Sequence, residues 1–158
     1  MNNTKQPVLR RIRSFVKREG RLTPGQTTAL KTGWPLYGLD SNIALSPSTV
    51  FNNENPVTLE IGFGNGASLA QMAEESPEKN FIGIEVHQPG VGHLLRLIQE
   101  KELNNIRVFD CDAIDVLNKA IPNNCIDCVQ LFFPDPWHKK RHHKRRIVQN
   151  DFLSLIHD

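Results

Sequence analysis

Four carboxylates stand at, or just past, the ends of short apolar runs: Glu60, Glu85, Asp112 and Asp135. Glu60 opens the run Glu60-Ile61-Gly62-Phe63-Gly64-Asn65-Gly66. Alternating glycines permit a tight turn and let the backbone approach a ligand closely at a helix N-terminus. Gly62 and Gly64 are therefore candidate ligand-binding positions, because a plain strand-to-helix turn has no need of three glycines. Glu85 follows the first glycine by about two dozen residues. An acid there can accept hydrogen bonds from both ribose hydroxyls of a nucleoside, or can be an ordinary solvated carboxylate. Asp112 can accept from the exocyclic amine of adenine or cap the helix that follows it, and spacing alone leaves both open. Asp135 lies in Phe132-Phe133-Pro134-Asp135-Pro136-Trp137-His138, where two prolines stiffen the backbone and aromatic rings flank the acid. That arrangement suits holding a flat base by its N–H groups while a ring stacks nearby.

Four strand-like runs must position these acids: Val57–Ile61, 81–86, Ile106–Phe109 and 126–133. Between them lie stretches with helical spacing, 66–75, 91–102 and 113–120, and another begins at 147–156. Strand and helix alternating at this pace predict an α/β fold, a parallel sheet with helices on both faces. Ligands of such sheets bind beyond the carboxyl ends of the strands, where the four acids fall. Upstream, Thr23-Pro24 reads as an N-cap and helix-opening proline, with Trp34-Pro35 as the stop. Residues 38–56, rich in Ser, Asn and Pro, read as a linker. The expected organisation is a basic N-terminal arm, short helix and linker over 1–56, then the N-terminal part of a ligand-binding α/β domain over 57–158.

The 158 residues suit one domain, and 39% hydrophobic residues suffice for a core. The formal net charge of +2 conceals two basic clusters, Arg10 to Arg21 and Lys139 to Arg146. With the acids mostly between them, an anionic partner such as nucleic acid is expected. The second cluster contains Lys139, Arg141, His142, His143, Lys144, Arg145 and Arg146 and adjoins Asp135. Charge of this kind binds phosphates without reading sequence, although a charge run is commonly a solvated face. His138, His142 and His143 among cations lack the carboxylate or Cys spacing of a metal site, so no metal is expected. Cys125-x-x-Cys128 and the odd Cys111 carry no second ligand pair, and structural roles are expected. No apolar run approaches membrane-span length, and a cytoplasmic, monomeric protein is expected.

L-E-I-G-F-G-N-G, G-I-E-V-H, the Asp112-Ala113 step and Q-L-F-F-P-D-P-W-H-K-K-R-H-H-K-R-R together resemble the bacterial tRNA (guanine-N7-)-methyltransferase family. The basic opening R-R-I-R-S-F-V-K-R-E-G-R-L-T is also similar, so the likeness runs through almost the whole chain. The glycine loop alone would mark only the broad class that uses S-adenosyl-L-methionine, whereas F-F-P-D-P-W with its basic follow-on is specific. The resemblance implies a Rossmann-like sheet of order 3-2-1-4. It implies methyl transfer from S-adenosyl-L-methionine to N7 of a guanine in the variable loop of tRNA. Glu60 would lie beside the methionine end of the cofactor, Glu85 would hold the ribose, and Asp112 would lie by the adenine. Asp135 would be catalytic, beside the methyl group and the target guanine. Lys139 would contact substrate, and 141–146 would be the RNA-interacting segment.

The family pattern continues past this length, with further strands beside the fourth, a downstream Asp and a Thr-x-x-Glu segment. The resemblance therefore implies an incomplete sheet with strand four as a bare edge. It also implies weakened activity, with an inactive cofactor- and RNA-binding fragment as the alternative. A nicotinamide oxidoreductase is disfavoured, because G-x-G-x-G lacks the third glycine at the G-x-x-G interval.

Overall fold

The computed structural model describes residues 20–132 and 139–157. Its centre is a four-stranded parallel sheet of order β3-β2-β1-β4. The strands are β1 (Val57–Ile61), β2 (Asn80–Ile84), β3 (Ile106–Phe109) and β4 (Cys128–Leu131). Both the strand count and the order agree with the sequence expectation. Among the described residues six α-helices accompany them: α1 (Pro24–Tyr37), α2 (Pro47–Phe51), α3 (Ala67–Glu75), α4 (Gln88–Glu100), α5 (Ala113–Lys119) and α6 (Asn150–His157).

Period-two alternation sends successive strand residues to opposite faces. Leu59, Ile61, Ile82, Ile84 and Phe109 form one face and pack with Val116 and Leu117 of α5 and Phe152 of α6. Phe81, Ile106 and Val108 form the other, under Leu69 of α3 and Val91, Leu94, Leu95 and Ile98 of α4. β1 and β2 are buried along their whole length, which explains their near-continuous apolar sequence. β4 is an edge strand in this sheet, with Cys128 exposed and Val129, Gln130 and Leu131 only partly buried.

Two local expectations are corrected. Helix α1 starts as read, with Thr23 and Gln26 forming a reciprocal capping box, but it runs through Pro35 to Tyr37. Proline disfavours helix at the residue before it and removes one donor. Packing overrides that penalty: α1 lies along α4, with Gln26 Nε2 donating to Pro89 O at 3.0 Å and Gln99 Nε2 to Thr32 Oγ1 at 3.1 Å. The segment read as a linker contains α2 and sends Leu45 and Phe51 into the core. Arg107 of β3 fastens it there. Its guanidinium donates to Val50 O at 3.0 Å and lies over the Phe51 ring at 5.0 Å, and burial lowers its pKa.

Asn105, 5% exposed, ties the turn after α3 to the start of β3. Its Nδ2 donates to Ala73 O at 2.9 Å, Lys79 O at 3.0 Å and Ser76 O at 3.3 Å. Asn105→Ala leaves these carbonyls short of a donor in a place water reaches poorly. We expect a loss of about 2 kcal/mol, read as a lower urea midpoint at unchanged slope.

Candidate functional site

The carboxyl ends of β1, β2 and β3 lie side by side, so the residues just after them form one edge. Gly62, Gly64 and Gly66 all have positive φ, at 75°, 63° and 74°. A β-carbon built on Gly62 or Gly64 meets nothing within 4 Å. Glycine is therefore required there by backbone conformation, and the space above these two residues is open to a ligand. The loop is closely supported from below. Gly62 N donates to Ile84 O at 2.8 Å, and His93 Nδ1 of α4 lies 2.7 Å from Asn65 O. Gly90 packs so tightly under the loop that a β-carbon on it would lie 1.9 Å from Gly64 O.

Glu85 is more than an acid at a strand end. Its Oε2 accepts from Gly64 N at 2.9 Å, and its Oε1 accepts from Val86 N at 2.7 Å and His87 N at 3.0 Å. One carboxylate thus joins the glycine loop of β1 to the turn after β2, and the reading of Glu85 as a merely solvated carboxylate does not describe it. Asp112 caps α5: its Oδ1 accepts from Ile114 N at 3.0 Å. Of the two readings that spacing left open, capping is seen directly, and it occupies one of the two carboxylate oxygens.

Glu60 is 4% exposed on the α3/α4 face of β1, and its Oε2 has no hydrogen-bond partner. Burial raises its pKa above the ordinary carboxylate value. A buried acid with an unused oxygen beside a glycine loop is costly for a fold and suits a site that receives a donor.

Asp135 lies outside the described residues, together with the rest of 133–138. β4 leads toward that segment, and Phe132, half exposed, is the last described residue before it. Beyond it, Lys140–Arg145 form a 3-10 helix with no buried residue, so the chain presents Lys139, Arg141, His142, His143, Lys144, Arg145 and Arg146 together on the surface. Gln149 Nε2 holds this turn by donating to His143 O at 3.1 Å and Arg146 O at 3.2 Å. Local desolvation, then the charges of Arg141, Arg145 and Lys144, lower the pKa of His142. Cys111, Cys125 and Cys128 are free thiols. No helix among the described residues is long and apolar enough to cross a membrane.

Sequence reasoning assigned no role to Gly90, His93, Gln130 or Gln149. The signal for Gln130 was present: a lone amide in the apolar run Val129-Gln130-Leu131-Phe132.

This sheet order, with helices on both faces, defines a Rossmann-like fold of the methyltransferase type. A solved structure titled "Structure of an Antibiotic Related Methyltransferase" shares it at TM-score 0.53 and 20% identity, over 73% of this chain and 59% of that one. A family model described as "Putative methyltransferase" matches residues 54–158. Relatives named "tRNA (guanine-N(7)-)-methyltransferase" include one from Idiomarina loihiensis, 58% identical over 94% of this chain and 61% of its own length. One from Vibrio cholerae is 59% identical over 94% of this chain and 63% of its own length. One from Alcanivorax borkumensis is 53% identical over 99% of this chain and 67% of its own length. The chain belongs to this methyltransferase family. It spans about three fifths of the length of the first two of these relatives.

Proposed function

We propose that the chain carries the cofactor-binding part of an enzyme that transfers a methyl group from S-adenosyl-L-methionine to N7 of a guanine in the variable loop of tRNA, in the cytoplasm. The observation that carries this reading is the edge itself: open space over Gly62 and Gly64, the Glu85 bridge beside it, and the unpartnered buried oxygen of Glu60. These features fit a ligand with a diol at one end and a donor-rich group at the other. Glu85 would accept from the ribose hydroxyls, Asp112, with its second oxygen, from the adenine amine, and Glu60 would hold the methionine end.

The bound sulfonium supplies an electrophilic methyl group. Guanine N7 already has a lone pair, so no proton must leave before attack, and the protein's task is alignment and exclusion of water. Asp135 holds the base edge and balances the positive charge that develops on the ring. Methylation undiminished after Asp135→Ala would remove that role. Lys139 and the surface cations of 141–146 bind tRNA phosphates, so affinity falls steeply with salt.

The test is calorimetric titration of the 158-residue chain with S-adenosylhomocysteine, followed by assay of N7-methylguanine in tRNA. Saturable one-site binding is expected. Absence of binding by a helical, monomeric sample would overturn the cofactor assignment.

A further inference from the structure

Glu60 has a neighbour that shares its predicament. In the parallel pairing of β1 with β4, Glu60 stands opposite Gln130, so both side chains leave the same face of the sheet. Gln130 Oε1 is buried and, like Glu60 Oε2, has no hydrogen-bond partner. On the other side Glu60 stands opposite Gly83 of β2. A β-carbon on Gly83 would come within 2.6 Å of the Phe63 and Leu69 side chains, so apolar groups roof that side. Among the described residues, the polar strand partner of Glu60 is therefore Gln130.

Two buried oxygens on one face of adjacent strands, each without a hydrogen-bond partner, are expensive to maintain. The chemistry that resolves them is narrow. An anion would be repelled by both oxygens. A hydroxyl offers one donor and no charge. A primary ammonium offers three donors and a positive charge, enough to serve both oxygens and offset the desolvated carboxylate.

We infer that Glu60 and Gln130 together form a two-acceptor seat for a primary ammonium, and that Gln130 is a further cofactor-binding residue directed at the amino-acid end. The identity of the ammonium as that of the methionyl portion rests on the cofactor reading above. The seat explains why an amide interrupts an otherwise apolar strand, and it makes the β1–β4 seam a part of the ligand site.

The test compares two ligands that differ only in this portion: S-adenosylhomocysteine, and 5′-methylthioadenosine, which lacks the amino-acid end. In calorimetric titrations Gln130→Met should bind S-adenosylhomocysteine about tenfold more weakly, the loss of one charge-assisted hydrogen bond. It should bind 5′-methylthioadenosine as the unaltered chain does, which also shows the variant to be folded. Gln130→Glu, which retains the acceptor, should preserve the preference for S-adenosylhomocysteine. Unchanged affinity of Gln130→Met for S-adenosylhomocysteine, or equal weakening of both ligands, would overturn the seat. An unaltered chain that binds both ligands equally would also overturn it while leaving the nucleoside part of the cofactor reading intact. An unaltered chain that binds neither would overturn the cofactor reading itself and the ammonium's identity with it.

Discussion

Gly90→Ala is expected to destabilise the chain by about 3 kcal/mol and to remove measurable binding of S-adenosylhomocysteine. The added methyl group would stand 1.9 Å from Gly64 O and 3.0 Å from its carbonyl carbon. Both are backbone atoms, so no rotamer change relieves the clash. Either the first turn of α4 lifts away from the sheet or the glycine loop is pushed into the space a ligand would use. The loop has little room to yield, because Glu85 holds Gly64 N and the side chain of Leu94 lies under Gly66. Thermal unfolding followed by circular dichroism reads the first effect and calorimetry the second. Gly25→Ala is the control: its methyl group would meet only Arg96 Cδ, at 3.9 Å. In the first turn of α1, that change should leave stability unaltered or raise it slightly. Equal effects of the two substitutions would show that the contact of Gly90 with the loop is not what matters.

Glu85→Ala should weaken S-adenosylhomocysteine binding by about a hundredfold, with a smaller loss of stability, about 1–2 kcal/mol. Two causes would combine in that loss: on the proposed cofactor reading the ribose would lose its acceptor, and Gly64, Val86 and His87 would lose the carboxylate that ties their N–H groups together. The stability loss is the smaller because the Gly64 bond is exposed and water replaces part of it. Glu85→Gln separates the causes. Its single carbonyl oxygen can still accept from Val86 N and His87 N, but its NH2 would face the Gly64 N–H, donor against donor. That variant should melt close to the unaltered chain and still bind poorly. Full affinity in Glu85→Ala would exclude Glu85 from the ligand site.

Much of the candidate site was legible because its chemistry is local in sequence. A glycine loop can be read from residue types alone, since only glycine adopts positive φ freely. An acid at a strand end can be read from the strand's apolar run. Asp112 shows the limit: capping and adenine recognition require the same residue type at the same place, and the bond to Ile114 N is visible only in three dimensions. The extension of α1 through Pro35 is hidden from local sequence for a related reason, since local propensity argues for a stop and only packing on α4 reverses it.

The sequence by itself determined the α/β alternation, the apolar strands, the order of the acids along the chain and the two basic clusters, because each depends on residue type and short-range periodicity. Only the tertiary structure decided which distant residues meet. It brought Glu85 to Gly64, Gly90 beneath the same loop, Arg107 to the segment around Phe51, and Gln130 opposite Glu60. These contacts depend on helix packing and strand register between elements far apart in the chain, which no local pattern encodes.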